Sequence, residues 1–473
     1  MMNWDAILML RNEIFVSVLI LFLLVLKLLD VDKKTVTFLT IVNWSLFLNL
    51  LLSLIPSAEG SLFFGFFKTN ALVGLEKAML NLAMLLVSLL STKWCHRHSD
   101  LVTEFFVLML SSLIGTYLMV SSGHILMLYL GIEMSTLPIA ALSNFHRYER
   151  RSSEAGIKFI LSSAFSTGIL LYGISMLYGA YGNLSFDYLR QALRPDLLTS
   201  LGFAFVMGGL FFKMSAVPFH FWTADVYEGS PIPVTNYLSV VSKGAIVFVF
   251  VSVLVIVFDN IRVQWQQIIQ IVAVLSMTVG NLFAMRQKNL KRFMAFSSIS
   301  QVGFILVGVT GYSVLGLDST IYFMLIYMLS NIVCFGVIGA VADTTRREDI
   351  DVMKGLYKTN PFFALVFSLA LFSLAGIPPT SGFFGKLLLL TSSMSYGMYV
   401  LVAFAGVNMV LSLYNYLRIV RRIFFDASEK NFTVIRTPLM ATTLFVSSAA
   451  IVVVGFVPQV YSYVDSIVKL LFR

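Results

Sequence analysis

A chain of 473 residues with 58% hydrophobic and only 12% charged residues differs sharply from a soluble domain. Globular domains average about 45–50% apolar and about 25% charged residues. This composition excludes a cytosolic enzyme, a disordered tail protein and a nucleic-acid-binding protein. The formal net charge of +9 does not require an anionic partner, because membrane proteins collect Lys and Arg on one side of the bilayer.

Apolar stretches of roughly 20 residues, long enough to span a bilayer as a helix, recur along the whole sequence. The first follows Arg11 without a small-residue cleavage pattern, so we expect no cleaved signal peptide. The sequence predicts an all-α polytopic membrane protein. Its spans, about fourteen, have the approximate limits 12–29, 36–55, 72–92, 103–120, 124–142, 157–178, 199–221, 234–257, 266–284, 293–310, 318–342, 361–395, 397–420 and 437–457.

The basic residues lie unevenly on the two sides of these spans. Of the 33 Lys and Arg residues, six lie within spans, seven in the loops on the N-terminal side and twenty in the opposite loops. Cytoplasmic loops are the ones that collect Lys and Arg. The distribution therefore predicts that both termini face away from the cytoplasm.

Four ionisable residues, Glu133, Lys213, Lys243 and Lys386, lie well inside predicted spans. A charge that faces lipid at mid-bilayer costs at least about 2.5–3.5 kcal/mol. These side chains should therefore face the helix bundle, water or each other. Either they lock helices together as structural ion pairs, or they transfer protons across the membrane.

Lysine suits proton transfer because burial lowers its pKa and a nearby carboxylate raises it. Glu133 and Lys213 form the obvious candidate couple. By contrast, Lys27, Glu76 and Lys77 lie near span ends, where we expect their side chains to snorkel to the interface.

Two spans contain prolines beside a lysine, which predicts broken helices. Pro218 follows Lys213 in span seven, whereas Pro378 and Pro379 precede Lys386 in span twelve. Discontinuous helices at mid-membrane are where transporters place ion sites. The two spans are five apart, and an odd offset is typical of an inverted repeat.

Polar residues near these spans allow two interpretations. His220 and Gln301 add to the intramembrane polar set, and Lys291 stands with Arg292 at the cytoplasmic mouth of span ten. In the first interpretation, the polar side chains form hydrogen bonds between helices, and the two basic residues only add to the excess of Lys and Arg on the cytoplasmic side. In the second, these residues order a chain of water molecules.

Motifs for redox or nucleotide chemistry are missing from the sequence. Cys95 and Cys334 are far apart, so no Cys-x-x-Cys pair indicates an iron–sulfur or zinc site. Gly385 and Lys386 resemble the end of a phosphate loop, but Thr380 and Leu387 break that pattern. We therefore expect any such chemistry to lie on another chain.

Four long segments together resemble subunit N of bacterial respiratory complex I. They are KMSAVPFHFWTADVYEGSPIPVT (213–235), EAGIKFILSSAFSTGILLYGISMLYG (154–179), NLKRFMAFSSISQVGF (289–304) and LAGIPPTSGFFGK (374–386). The VYEGSP segment (226–231) is similar to subunit N rather than to its sibling subunits L and M. The resemblance covers most of the chain, from about span four to span thirteen.

The resemblance implies fourteen transmembrane helices with two inverted five-helix repeats and broken helices 7 and 12. It further implies four segments: three N-terminal transmembrane helices (1–102), a first repeat (103–258), a second repeat (259–424) and a C-terminal transmembrane helix (425–473). The proton-transfer residues that the resemblance implies are Glu133, Lys213, Lys243 and Lys386. From their positions in the sequence we add His220 and Lys291 as proton-transfer residues and Lys158, Gln301, Pro218, Pro378 and Pro379 as supporting residues. Many relatives have His at the position of Gln301, and a glutamine there cannot take up a proton.

The same resemblance implies a proton-translocating NADH:quinone oxidoreductase in the bacterial inner (cytoplasmic) membrane, a translocase. NADH, FMN, iron–sulfur clusters and quinone would be bound by partner subunits, and the expected partners are the other membrane and peripheral subunits and the lipid bilayer. A subunit of a multisubunit cation/proton antiporter or of a membrane-bound hydrogenase remains an alternative. A structural scaffold with locked ion pairs is a third hypothesis.

Overall fold

The computed structural model describes residues 4–56, 58–427 and 432–471. Within these ranges the protein is almost entirely helical, which confirms the predicted all-α membrane fold. A short antiparallel hairpin of β1 (Gly60–Leu62) and β2 (Phe67–Thr69) was not predicted.

The helices divide along the chain into an N-terminal and a C-terminal half. Those of the N-terminal half are α1 (Trp4–Met9), α2 (Arg11–Leu28), α3 (Thr35–Leu54), α4 (Ala71–Arg97), α5 (Val102–Val120), α6 (Ile125–Ser143), α7 (Arg150–Tyr181), α8 (Phe186–Ala192), α9 (Leu197–Met214), α10 (Phe221–Gly229), α11 (Ile232–Tyr237) and α12 (Lys243–Ile256). Those of the C-terminal half are α13 (Arg262–Arg286), α14 (Leu290–Thr310), α15 (Val314–Thr345), α16 (Leu356–Thr359), α17 (Pro361–Ala375), α18 (Ser381–Ser395), α19 (Tyr399–Phe424), α20 (Pro438–Phe456) and α21 (Pro458–Leu471). A π-helical turn, Leu238–Ser242, joins α11 to α12.

Twelve helical segments in the described ranges are long and apolar enough to cross a membrane. Two predicted spans fall outside this set for simple reasons. Helix α2 has 18 residues but contains the charged residues Arg11, Glu13 and Lys27. The predicted span 361–395 is divided into α17 and α18, each of 15 residues and too short to cross alone. The exact number of fourteen crossings therefore stays a prediction.

Contacts along the chain define two compact units. Unit 1 comprises Met1–Lys213 and Gly229–Arg262, and unit 2 comprises Met214–Glu228 and Val263–Arg473. A predicted segment boundary, after residue 258, lies close to the end of unit 1. The division into four segments itself stays a prediction.

The short segment Met214–Glu228 belongs to unit 2, although the chain on both sides of it belongs to unit 1. Ion pairs within unit 2 explain this membership. Arg292 Nη1 on α14 lies 2.6 Å from Asp225 Oδ1 and 2.8 Å from Glu228 Oε2 on α10. The second half of broken helix 7 is thus fixed by charge to α14.

Both predicted helix breaks are present. Helix α9 ends at Met214 and α10 begins at Phe221, with Pro218 between them. Helix α17 ends before Gly376, which adopts φ +83° and donates its N–H to Phe372 O at 2.9 Å. A left-handed residue of this kind stops a helix, and glycine adopts it without steric cost.

Each unit contains the same close approach between two neighbouring helices. In unit 1, Gly115 of α5 lies so close to the backbone of Ser135 on α6 that a methyl group would collide with it. In unit 2, Gly280 of α13 lies in the same way against the backbone of Ser300 on α14.

The caps of the two partner helices also correspond. His124 caps α6 and forms an isolated bridge with Ser185, and Asn289 caps α14 and forms an isolated bridge with Asp349. Helices α7 and α15 both have 32 residues. These recurrences favour the predicted pair of repeats, and their inversion in the membrane stays a prediction.

The expectation for two of the charged residues near span ends needs correction. Lys77 and Glu76 do not snorkel outward, because they are only 3% and 1% exposed inside unit 1. Their helix α4 is covered by α3, α5 and α11, so its charged turn faces protein rather than lipid. Lys27 differs, since it pairs with Glu104 and both side chains are 40% exposed.

The C-terminal helix α21 was also unexpected. Val464, Ile467 and Val468 form its buried face, whereas Tyr463 and Leu470 are exposed. This spacing of three and four residues is that of an amphipathic helix.

Candidate functional site

Lys213 lies in the last turn of α9, immediately before the break in helix 7. Its Nζ donates hydrogen bonds to Thr136 Oγ1 on α6 at 2.6 Å and to Ser163 Oγ on α7 at 2.7 Å. Three helices of unit 1 therefore meet at this amine. Hydroxyl oxygens can accept from an ammonium and their protons can be donated to a neutral amine, so both forms of Lys213 are accommodated.

Glu133 lies on α6 one turn before Thr136, on the same side of the helix. It interacts electrostatically with Lys213. Within the described part of unit 1 no salt bridge joins the two, and Glu133 Oε1 is buried without a hydrogen-bond partner. Glu133 and Lys213 are therefore close enough to interact electrostatically. The side chain of α6 that binds the amine of Lys213 directly is the hydroxyl of Thr136, not the carboxylate of Glu133.

Lys243 also lies in unit 1, at the first residue of α12, and it is 2% exposed. The π-helical turn directly precedes it. Such turns widen an α-helix locally and frequently occur at functional sites. Nothing in the sequence indicated this turn.

Lys386 lies on α18 in unit 2 and is fully buried. Its Nζ donates to Leu374 O at 2.6 Å and to Ala375 O at 3.4 Å, and lies 4.4 Å from the ring centroid of Phe304. The last carbonyls of a helix lack partners within the helix and form the negative end of its dipole. The break after α17 thus supplies the acceptors for this ammonium.

Gln301 binds the same end of α17 as Lys386. Its Nε2 donates to Leu374 O at 3.0 Å and to the hydroxyl of Tyr416 at 3.0 Å. One carbonyl oxygen therefore accepts from both Gln301 and Lys386. This position fits the expected supporting role for Gln301, which itself stays a prediction.

His220 belongs to the break between α9 and α10, beside Pro218, in unit 2. It is 9% exposed, and its Nδ1 is buried with no hydrogen-bond partner in the described residues. Its ring packs on Phe221, with centroids 4.5 Å apart. Pro378 and Pro379 lie in the corresponding break between α17 and α18.

Lys291 and Lys158 each form an ion pair with a glutamate. Lys291 Nζ lies 2.8 Å from Glu348 Oε1, with side chains 4% and 28% exposed. Lys158 Nζ lies 2.6 Å from Glu154 Oε1 on its own helix, with both side chains about half exposed. Ser163, on the same helix as Lys158, is the residue of α7 that binds Lys213.

Three contacting residues were missed by sequence reasoning: Thr136, Ser163 and Tyr416. Buried hydroxyl residues are frequent in this chain, so residue type does not distinguish them. For Thr136 a signal existed, because it lies three residues after Glu133 on a helix.

Comparisons with known proteins identify the family and the fold of the chain. The profile of the family described as NADH:quinone oxidoreductase/Mrp antiporter, TM, matches residues 122–412. NADH-quinone oxidoreductase subunit N of Phocaeicola vulgatus is 44% identical over 421 residues, which are 88% of this chain and 88% of that protein. The protein of the same name from Paramagnetospirillum magneticum is 35% identical over 456 residues, 94% of this chain and 93% of that one.

Solved structures of membrane complexes contain chains with the same fold. A chain of respiratory complex I from Thermus thermophilus with bound aureothin has a TM-score of 0.78 at 26% identity, covering 95% of this chain and 97% of its own length. A chain of the Mrp complex from a Dietzia species has a TM-score of 0.85 at 22% identity, covering 99% and 97%. At that identity the second likeness concerns the fold alone.

Proposed function

Since the chain belongs to the family of NADH-quinone oxidoreductase subunit N, we propose that it is a proton-translocating membrane subunit of an NADH:quinone oxidoreductase. The observation that supports this most strongly is the placement of Lys213 and Lys386, each of which adjoins a break in a buried helix. A buried ammonium is expensive unless it is solvated by protein, and both lysines have dedicated acceptors.

In unit 1, Lys213 takes up and releases the transferred proton. Its ammonium is stabilised by the oxygens of Thr136 and Ser163 and by the negative charge of Glu133. When Glu133 moves away or binds a proton, this electrostatic stabilisation falls and the ammonium releases its proton. Lys243, in the same unit, is the next acceptor along the proposed path.

In unit 2, Lys386 is the terminal lysine of the path. The carbonyl of Leu374 and the ring of Phe304 stabilise its charged form. Gln301 keeps the carbonyl in place, because it binds the same oxygen. Lys386 then releases the proton towards the opposite side of the membrane.

The energy required for each step is modest. Moving one elementary charge against 100 mV requires about 2.3 kcal/mol. Each tenfold change in proton affinity corresponds to about 1.36 kcal/mol. A change of about fifty-fold in the proton affinity of Lys213 is therefore enough to move one proton against 100 mV. The loss of one nearby charge changes the free energy of the ammonium by a similar amount.

The redox chemistry belongs to partner subunits in this proposal. NADH, FMN, iron–sulfur clusters and quinone bind there, and this chain contributes the membrane path. It is a multi-pass protein of the bacterial inner membrane, with both termini on the non-cytoplasmic side because the Lys- and Arg-rich loops face the cytoplasm.

Purification of the tagged chain from its native membrane, with identification of the proteins that accompany it, tests this assignment. We expect flavin- and iron–sulfur-containing NADH dehydrogenase subunits. Recovery of antiporter subunits or hydrogenase subunits instead would contradict the role in NADH oxidation, while it would leave the ion path as a separate question.

A further inference from the structure

A buried ion pair that the proposed path does not use joins two N-terminal helices of unit 1. Lys77 Nζ on α4 lies 2.6 Å from Glu13 Oε1 on α2, and the two side chains are 4% and 9% exposed. Glu76, the residue before Lys77, is 1% exposed. We call Glu13, Glu76 and Lys77 the acid–lysine cluster. Buried ion pairs contribute little to stability, so this arrangement calls for a functional explanation.

The cluster has one carboxylate more than it has ammonium groups. With all three groups ionised it bears one net negative charge, and burial of that charge favours the binding of one proton. Glu13 Oε2 is buried and has no hydrogen-bond partner among the described residues, so an acceptor position is available. The nearby guanidinium of Arg11 acts electrostatically on Glu13 but is bound to the carbonyls of Ile55 and Pro56.

The cluster lies at the end of unit 1 that carries the hairpin. Glu13 is in the first turn of α2, and the ring centroid of Phe67 on β2 is 4.9 Å from Lys77 Nζ. This is the side on which α2 begins. Because the opposite side holds the basic loops, the cluster faces the non-cytoplasmic side in the proposed orientation.

Polar groups continue from the cluster towards α5. Lys77 Nζ lies 6.0 Å from the ring centroid of Tyr117, and Glu13 interacts electrostatically with the hydroxyl of Tyr117. That hydroxyl donates to Asn81 Oδ1 and accepts from Asn49 Nδ2 at 3.0 Å. All three of these residues are at most 1% exposed.

A second tyrosine extends these groups to the helix of Glu133. Tyr117 interacts electrostatically with Tyr237, whose hydroxyl donates to Ser112 Oγ at 3.0 Å. Ser112 in turn donates to Ser135 O at 2.9 Å, and Ser135 precedes Thr136, the partner of Lys213. The titratable groups around the pair are therefore Arg11 on α2, Glu76 on α4, Tyr117 on α5 and Tyr237 on α11.

We propose that the acid–lysine cluster is a second proton-binding site of unit 1, whose charge is coupled to the Lys213 site through the buried polar groups around Tyr117 and Tyr237. On loading, a new O–H bond forms on a cluster carboxylate while an O–H bond of a hydronium ion breaks and leaves water. The net negative charge of the cluster is thereby neutralised. This inference rests on the proposed proton translocation and adds a second titrating site at the end of unit 1 that carries the hairpin.

The test compares two carboxylates of unit 1, Glu76 and Glu104, each of which interacts with a lysine. Glu76→Gln removes the excess carboxylate with almost no change in shape. Glu104→Gln is the matched control, because Glu104 pairs with Lys27 between α5 and α2 but is 40% exposed. Both variants are made in the intact complex and reconstituted into liposomes, where proton pumping is measured per NADH oxidised.

We expect Glu76→Gln to slow pumping at least about tenfold, in line with the loss of a positioned proton-transfer group, and Glu104→Gln to leave it unchanged. Infrared difference spectra should also lose a carboxylic acid band in Glu76→Gln alone. Unchanged pumping and an unchanged band would overturn the inference. If Glu76→Gln fails to assemble, Glu13→Gln gives the same two readouts, and an unaltered result there overturns it equally.

The complex with Lys213→Ala, measured in the same preparation, separates the two claims. Loss of pumping in Lys213→Ala with normal pumping in Glu76→Gln would contradict the second site only. Normal pumping in both would contradict the proposed function itself.

Discussion

The two units hold their broken-helix lysines in different ways. In unit 1, Lys213 precedes its break and is bound by the hydroxyls of Thr136 and Ser163, with Glu133 within electrostatic range. In unit 2, Lys386 follows its break and reaches back to the carbonyl of Leu374. Side chains can move or change their protonation, whereas carbonyls at a helix end are fixed dipoles. We infer that unit 1 contains the adjustable lysine and unit 2 a lysine of nearly constant proton affinity.

Corresponding positions make this difference specific. Glu133 lies nine residues after the cap His124, and Ser298 lies nine residues after the cap Asn289. The acid of unit 1 thus has a serine as its counterpart in unit 2. Twelve residues after the same caps lie Thr136 and Gln301, each of which contacts its unit's lysine site.

Among the substitutions that compare the two units, the largest effect should come from Lys386→Met. Methionine is unbranched and similar in length to lysine, but it lacks the amine that receives the proton in unit 2. We expect proton pumping by the reconstituted complex to fall at least about 100-fold, as for the loss of a general acid–base group. Lys358→Met, at an exposed lysine of the same unit, is the control and should pump normally. Pumping by Lys386→Met at the level of this control would remove unit 2 from the path.

The next effect separates the two units directly. Glu133→Gln should slow pumping about 30-fold, because the loss of a charge near Lys213 removes about 2 kcal/mol of electrostatic stabilisation of the ammonium. Ser298→Ala, at the counterpart position, should stay within about threefold of the unaltered complex, since it removes a neutral hydroxyl, which donates to Ala295 O of its own helix, and no charge. Equal effects of the two substitutions would contradict the comparison.

A smaller effect is expected from Thr136→Val. The variant keeps the shape of the side chain and removes one hydrogen bond to the ammonium of Lys213, worth about 1.5 kcal/mol for a charged donor. Pumping should therefore fall about tenfold. Thr116→Val is a suitable control, because Thr116 is also buried in unit 1 and its hydroxyl bonds to Leu113 O of the same helix. If both variants pump alike, the hydroxyl of Thr136 that binds Lys213 has no role in proton transfer.

The smallest effect should come from Gln301→Leu. It removes a neutral hydrogen bond of about 1 kcal/mol to Leu374 O and leaves Lys386 as the remaining side-chain donor to that carbonyl. We expect a loss of about fivefold in pumping with normal assembly. A loss as large as that of Lys386→Met would mean that Gln301 takes part in the transfer itself.

The sequence predicted those parts of the site that stand out against an apolar background. Charged residues within long apolar stretches, and prolines beside them, identified Lys213, Lys386 and both helix breaks. Their partners were less visible, because Thr136 and Ser163 are two of many buried hydroxyl residues and Leu374 contributes only its main chain.

Position near the end of a span was a poor guide to burial. Lys77 and Lys27 both lie near span ends, yet the first is 3% exposed and the second half exposed. Whether such a residue faces lipid or protein depends on which helices cover it, and that is a property of the tertiary packing. The amphipathic helix Pro458–Leu471 shows the reverse case, since its apolar spacing is present in the sequence and was overlooked.

The central claim is that protons cross the membrane through the buried lysines of this chain. The most direct test is proton pumping per NADH oxidised by the purified complex with Lys213→Ala in liposomes, with assembly confirmed beforehand. The structure leads us to expect an assembled complex that does not pump, because the amine bound by Thr136 and Ser163 is gone. Normal pumping by that assembled complex would contradict the claim.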